Sequence, residues 1–311
     1  MKSCKVKALG TSSQDMTNKP LGPILARFFS SGVLRELAKT GHSQIARNLV
    51  QNYNVLDEFD KNLTVAEFYD AIFNRLVQEY RHEYIYKNAI AEKILLGKHS
   101  LNTAMMLTEF RADNCKADAV VLNGTSHVYE IKSEMDSFER IDRQIAAYKK
   151  IFDYITVITT EKLYETICNR VSPEIGVMVL AENDYRFRVS NCRREAKSNR
   201  KNVDPSVIFK SLHRKEYTKI IKEVLGVSFD GIPNTKIHSV AMDYFVEIKP
   251  EVAHQKMVDV LQHRKQAKHI SDFICDVPRS LKAASISMRL TKDQRSRFVN
   301  IMKDSAYKVF I

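Results

Sequence analysis

Asp118 and the triplet Glu130-Ile131-Lys132 are the residues whose types and spacing best suit chemistry in this chain. Glu130 and Lys132 alternate around Ile131, so in an extended segment both point to one face. Charged groups on a half-buried strand need a partner or a metal. Between Asp118 and Glu130 stands Asn123-Gly124, a strong hairpin signal. A three-residue loop gives an even-sum register and sets the two carboxylates on one face, whereas a two-residue loop sets them on opposite faces. On one face they would attract a hard divalent cation, Mg²⁺ or Mn²⁺. Such an ion polarises a phosphoryl oxygen and lowers the pKa of a bound water. Lys132 would orient that water. A third carboxylate is expected from the preceding helical stretch, where Glu83 is preferred over Glu79 and Glu92.

The order helix Glu83, Asp118, hairpin, Glu130-Ile131-Lys132 resembles the PD-(D/E)XK nuclease superfamily. Downstream, Gln144-Ile145-Ala146-Ala147-Tyr148 resembles the Gln-x-x-x-Tyr motif of RecB-type nucleases. The run Arg81 to Ile90, with Asn123-Gly124-Thr125-Ser126, resembles a little-studied branch found in bacteria, phages and mobile elements. One departure stands out: Asp118 follows Ala117, so the superfamily's proline is missing. The resemblance implies a restriction-endonuclease-like core and metal-dependent hydrolysis of DNA, in phage defence or mobile-element biology. Metal would be held by Glu83, Asp118, Glu130 and the Ile131 carbonyl. Lys132 would be catalytic, with Gln144 and Tyr148 positioning it or the phosphate.

These residues need a sheet and its helices. Thr64-Val65-Ala66-Glu67 is a capping box, so a helix should start near Thr64 and carry Phe68, Ile72 and Leu76 inward. A helical stretch through Tyr84–Ile90 should end near Gly97 as a left-handed cap. Strands are expected over Ala104–Phe110, Ala117–Leu122 and His127–Lys132, then a helix from Ser137 to Phe152. Tyr154–Thr159 reads as a buried central strand, Leu163–Val171 as a helix, and 175–180 with 185–189 as a final hairpin. The expected fold is α/β, a mixed central sheet flanked by helices with helical additions at both ends. Three regions follow: a polar arm and N-terminal helices (1–66), the nuclease-like core (67–192), and a basic, mainly helical remainder (193–311).

The net charge of +12, from 49 basic and 37 acidic residues, attracts polyanions. Arg193, Arg194 and Lys197, in a segment read as a charged linker, and Arg264, Lys265 and Lys268 are candidates to track a phosphate backbone. No apolar run suits a membrane span or a secretory signal. The five scattered cysteines argue for the cytoplasm and against structural zinc. Oligomeric state is left open, a homodimer included.

Blander readings compete. Glu130 and Lys132 would make a surface ion pair on an edge strand, and Gln144 and Tyr148 one packed helix face. His82 and His127 read as structural, Tyr84 and Tyr86 as core, and Glu109 as a partner of Arg111 or Lys132. Glu247-Ile248-Lys249 repeats the triplet, but its acid Asp243 is too near for a hairpin. The competing functions are a non-catalytic nucleic-acid-binding protein on a nuclease-like fold, and an RNase using the same site.

Overall fold

The computed structural model describes residues 20–99, 103–181, 185–187, 193–263 and 267–311, with side chains left aside over 267–271. The polar arm lies outside them, as do Arg264 and Lys265.

Six strands form one sheet in sequence order: β1 (Met105–Ala112), β2 (Cys115–Leu122), β3 (Ser126–Ile131), β4 (Tyr154–Thr159), β5 (Gly176–Val179) and β6 (Arg193–Arg194). β1, β2 and β3 run antiparallel, while β3, β4 and β5 run parallel. Parallel neighbours need crossovers, which the helices Ile141–Lys149 and Tyr164–Arg170 supply. Helices cover both faces, so the apolar run of β4 is buried on both sides. The fold is therefore mixed α/β with helical parts before and after the sheet.

Strand alternation divides the core in two. Val120, Leu122 and Val128 face Ile145, Phe152 and the helices between Pro205 and Gln262. Ala119, Val121, Tyr129 and Ile131 face the helices between Leu21 and Leu95, joined by residues 273–310. The basic remainder is thus split: one part closes each face of the sheet. Its far part docks on the start of the helix Val65–Glu79, where Val65 N–H donates to the Asp304 carbonyl (2.8 Å) and Ala306 N–H to that of Leu63 (2.9 Å). The Thr64–Glu67 capping box forms at that junction.

The expected N-terminal helices are Leu21–Ala26, Ser31–Thr40 and Gln44–Tyr53, with Gly41 left-handed at φ +87° between the last two. Several expected elements differ. Gly97 caps nothing: a π-helical turn, Ile90–Leu95, shifts the phase and the chain stays helical to Lys98. The 175–180/185–189 hairpin is represented among the described residues by one bridge, Leu180 to Phe187. The strand beside β5 is Arg193–Arg194, part of the segment read as a linker. Glu247-Ile248-Lys249 sits between the helices Ile237–Phe245 and Pro250–Gln262, not on a strand.

Candidate active site

The β2–β3 turn decides the geometry. Leu122 pairs with Ser126 across Asn123, Gly124 and Thr125, and Val120 with Val128. Asn123 N–H donates to the Thr125 carbonyl at 3.0 Å, and Gly124 takes φ +68°, a conformation a side chain would strain. This three-residue loop gives the even-sum register, which brings Asp118 and Glu130 to one face.

Each charged group there has a defined neighbour. Asp118 Oδ2 accepts from the Ile131 N–H at 2.8 Å. Glu130 Oε1 meets Lys132 Nζ at 3.0 Å, with both side chains 5% exposed or less. Lys132 Nζ donates to Gln144 Oε1 at 2.9 Å. The Tyr148 hydroxyl donates to Glu130 Oε2 at 2.6 Å and lies 3.0 Å from the Lys116 carbonyl. Gln144 and Tyr148 are four residues apart on the helix Ile141–Lys149, so both face the sheet one turn apart. The Glu130–Lys132 pair is therefore internal, unlike an edge-strand surface pair.

Of the three helical acids, Glu83 is the one that lines the cleft. Glu79 pairs with Arg75, and Glu92 with Lys93 and Arg279. Sequence reasoning missed Glu109 as a site residue. Its partners are Lys87 and, at 4.0 Å, Lys116, rather than Arg111 or Lys132. Carboxylate oxygens of Glu83, Glu109 and Asp118 come within 4.8 Å of one another. Glu109 has φ +53°, a strained backbone for a non-glycine residue in a strand. Lys87 lies between Glu83 and Glu109 as their counter-ion.

Burial pushes the Asp118 carboxyl up to about 8, and the charges of Glu130 and Glu83 add to the shift. Burial also raises Glu130, against the pull of Lys132 and Tyr148. Like charges converging on the half-buried Asp118, with Glu83 and Glu109 exposed beside it, form an oxygen donor set that fits a hard divalent cation. Glu83, Glu109 and Asp118 are the carboxylates that converge and could hold it; Glu130 lines the same cleft with its oxygens engaged by Lys132 and Tyr148. Ile131 lines the same cleft.

The cleft has a volume of about 320 Å³, and Arg140, Arg143 and Lys116 line it together with the carboxylates. No pattern in the sequence separates these exposed cations from any other surface charge. The outer basic candidates behave differently. Arg194 is consumed by the carbonyls of Ile175 (2.9 Å), Cys168 (3.1 Å), Val171 and Ser172 (both 3.3 Å). Arg193 pairs with Glu195 at 2.7 Å, Lys197 is exposed, and Lys268 falls on the helix Ala267–Asp276. Arg193, Arg194 and Lys197 are not among the residues that line the cleft.

Comparison with known proteins places this geometry in a family. Protein cII of Enterobacteria phage P4 is 31% identical over 99 residues, covering 30% of this chain and 38% of that protein. The aligned part is thus well under half of the phage protein's length. The SPO1766 protein of unknown function from Silicibacter pomeroyi aligns at a TM-score of 0.25 and 19% identity, over 31% of this chain and 62% of that one, too weak a likeness to carry an argument. The family described as Bacteriophage P4 protein cII matches residues 76–287, a span that takes in the whole sheet and every residue of the cleft. With more than half of its length matched, the chain belongs to the Bacteriophage P4 protein cII family.

Proposed function

We propose that the protein is a metal-dependent nuclease that hydrolyses phosphodiester bonds in DNA. The observation that carries this reading is the even register of the β2–β3 hairpin. It aligns Asp118 with Glu130 while Gln144 and Tyr148 fix Lys132 and Glu130 from behind. Mg²⁺ or Mn²⁺, when bound by Glu83, Glu109 and Asp118 in the cleft that Glu130 also lines, supplies Lewis acidity and an acidified water. The chain's own groups do the rest. Lys116, Arg140 and Arg143 receive the phosphate by charge. Lys132 Nζ, held by Gln144, orients the attacking water and offsets charge gathering on the phosphoryl oxygens. Tyr148 holds Glu130 in one orientation, and the Ile131 N–H does the same for Asp118. The bacteriophage origin of the family's namesake supports a role in phage or mobile-element biology, and we assign the protein to the cytoplasm. Among the described residues no helix is long and apolar enough to cross a membrane.

Purified protein on labelled plasmid, linear DNA and RNA, with Mg²⁺, Mn²⁺ or EDTA, tests the reading. DNA cleavage that needs metal and disappears in Asp118→Asn is expected. Cleavage confined to RNA would make it an RNase. Tight DNA binding with no metal-dependent cleavage would leave a binding protein on this fold.

A further inference from the structure

A second cavity, of about 540 Å³, opens where the parallel strands β3 and β4 end. Ligands of α/β sheets gather at the carboxyl ends of strands. The loop after β3 divides the two cavities: Lys132 and Asp136 line the first, and Ser133 to Met135 line the second. Asp136 holds that loop, accepting from the Ser133 N–H at 2.8 Å and hydroxyl at 2.7 Å.

Two polar groups in the second cavity lack partners among the described residues. Thr160 is 4% exposed, and its hydroxyl has no hydrogen bond. Arg81 Nε is also buried and unsatisfied, although its terminal nitrogens donate to the carbonyls of Leu180 (3.2 Å) and Ala181 (2.9 Å). A buried polar atom left unpaired is costly, so each such atom calls for an explanation, and a ligand is one. The lining around them is mixed: Tyr80, Val77 and Met135, which is 56% exposed, are apolar, while Gln78, Glu79 and Glu134 are polar. An exposed thioether is a soft, adaptable contact for a planar group. Lys162 and Glu134 both line the cavity and pair at 3.1 Å, so their charges offset each other.

A flat group with a mixed donor–acceptor edge suits Tyr80, Met135 and the two unpaired polar groups, and the carboxylate cleft lies just across the Ser133–Asp136 loop. We propose that the second cavity takes an unstacked nucleobase of the strand whose phosphate enters the carboxylate cleft. This deepens the nuclease reading and rests on it for the polymer, but the base contacts are independent of cleavage. Thr160 Oγ1 and Arg81 Nε read the base edge, and Tyr80 and Met135 pack its faces. The consequence is a preference for single-stranded or locally opened substrate, because a paired base cannot enter.

The test is equilibrium binding in EDTA, where cleavage is silent. The probes are a single-stranded thymidine oligomer of about 12 nucleotides and a fully abasic deoxyribose-phosphate oligomer of equal length and charge. The wild type should prefer the thymidine oligomer by about tenfold, in the range of one stacked base. Thr160→Val should lower affinity for the thymidine oligomer about three- to tenfold, the loss of one hydrogen bond, and leave the abasic oligomer unchanged. Its melting temperature should hold or rise, since an unpaired buried hydroxyl gives way to a methyl of the same shape. Met135→Ala, at an exposed position, should show the same selective loss without any question of folding. Equal binding of both oligomers, unaffected by either variant, would overturn the base pocket while leaving metal-dependent cleavage to stand on its own. Selective binding without cleavage in Mg²⁺ would keep the pocket and sink the nuclease. No binding of either oligomer would overturn both.

Discussion

At the scale of single residues, the centre of the site is a buried ion pair with two supports. Lys132 is 4% exposed and Glu130 1% exposed, and neither can leave without stranding the other. Removing one partner of such a pair costs about 3–5 kcal/mol, because an uncompensated charge stays behind. Lys132→Ala is therefore expected to melt earlier as well as to lose about 10²–10⁴ in the proposed cleavage rate. The double variant Glu130→Gln/Lys132→Met removes both charges, so it should recover stability in a thermal melt and stay inactive. The supports should separate in a Mg²⁺ titration. Tyr148→Phe deletes the donor to Glu130, so more metal should be needed for half-maximal rate. Gln144→Ala releases Lys132, so the rate at saturating metal should fall instead. Each loss should be about 10–100-fold, the usual size for a group that orients a ligand. Equal half-saturation in wild type and Tyr148→Phe would detach Tyr148 from metal binding.

At the scale of elements, the hairpin and the edge strand carry the information. Gly124 has nothing within 4 Å of where a Cβ would stand, so a substitution there meets only backbone strain. Gly124→Val should cost about 1–2 kcal/mol in a denaturant melt, and Gly124→Asn much less, because Asn tolerates the left-handed region. A cost from Asn as large as that from Val would mean the loop is not held by its φ. Arg194→Ala should destabilise by about 1–3 kcal/mol, since four carbonyls lose their donor. It should not change the salt dependence of DNA binding, whereas Arg143→Glu should reduce that slope. These elements also mark what a sequence can show. The turn between Asp118 and Glu130 was legible because Asn123-Gly124 advertises it, but the register was not: two- and three-residue loops both suited the sequence, and the Leu122–Ser126 pairing decides for three. The Gln144–Tyr148 pair was legible because helical spacing puts both on one face. β6 was not: two residues, Arg193 and Arg194, are too short to show alternation and look like a linker. Glu109 was hidden by its left-handed backbone, which no local pattern announces. Arg140, Arg143 and Lys116 were hidden because exposed cations look alike until a cleft gathers them.

At the scale of the whole molecule, charge and buried imidazoles set the response to solution conditions. A net charge of +12 predicts DNA binding that weakens steeply with salt, by about 0.9 log unit per tenfold salt for each phosphate neutralised. Acid sensitivity should come from histidines held neutral. Burial lowers His254 to about 4, with Asp153 opposing and Arg200 assisting, and burial lowers His127 to about 3. Unfolded histidine takes its proton near pH 6.5, so stability should be flat above about pH 7 and fall as pH drops from about 6.5 towards 4. The His254 share is about 3 kcal/mol at full extent, and His254→Gln should remove that share of the slope in melts across this range. An unchanged slope would mean His254 is already charged in the fold. The docking of Val65 and Ala66 against residues 302–306 has a further meaning during synthesis. Phe28 and Phe68 pack on Phe310, so the helices before the sheet cannot finish their core until a segment far downstream in the sequence has been made. The opposite face of the sheet closes with helices ending at Gln262 and can consolidate sooner. Glu83 belongs to the half of the core that waits for residues 302–310, so the cleft would gain its full set of carboxylates only after that segment has docked.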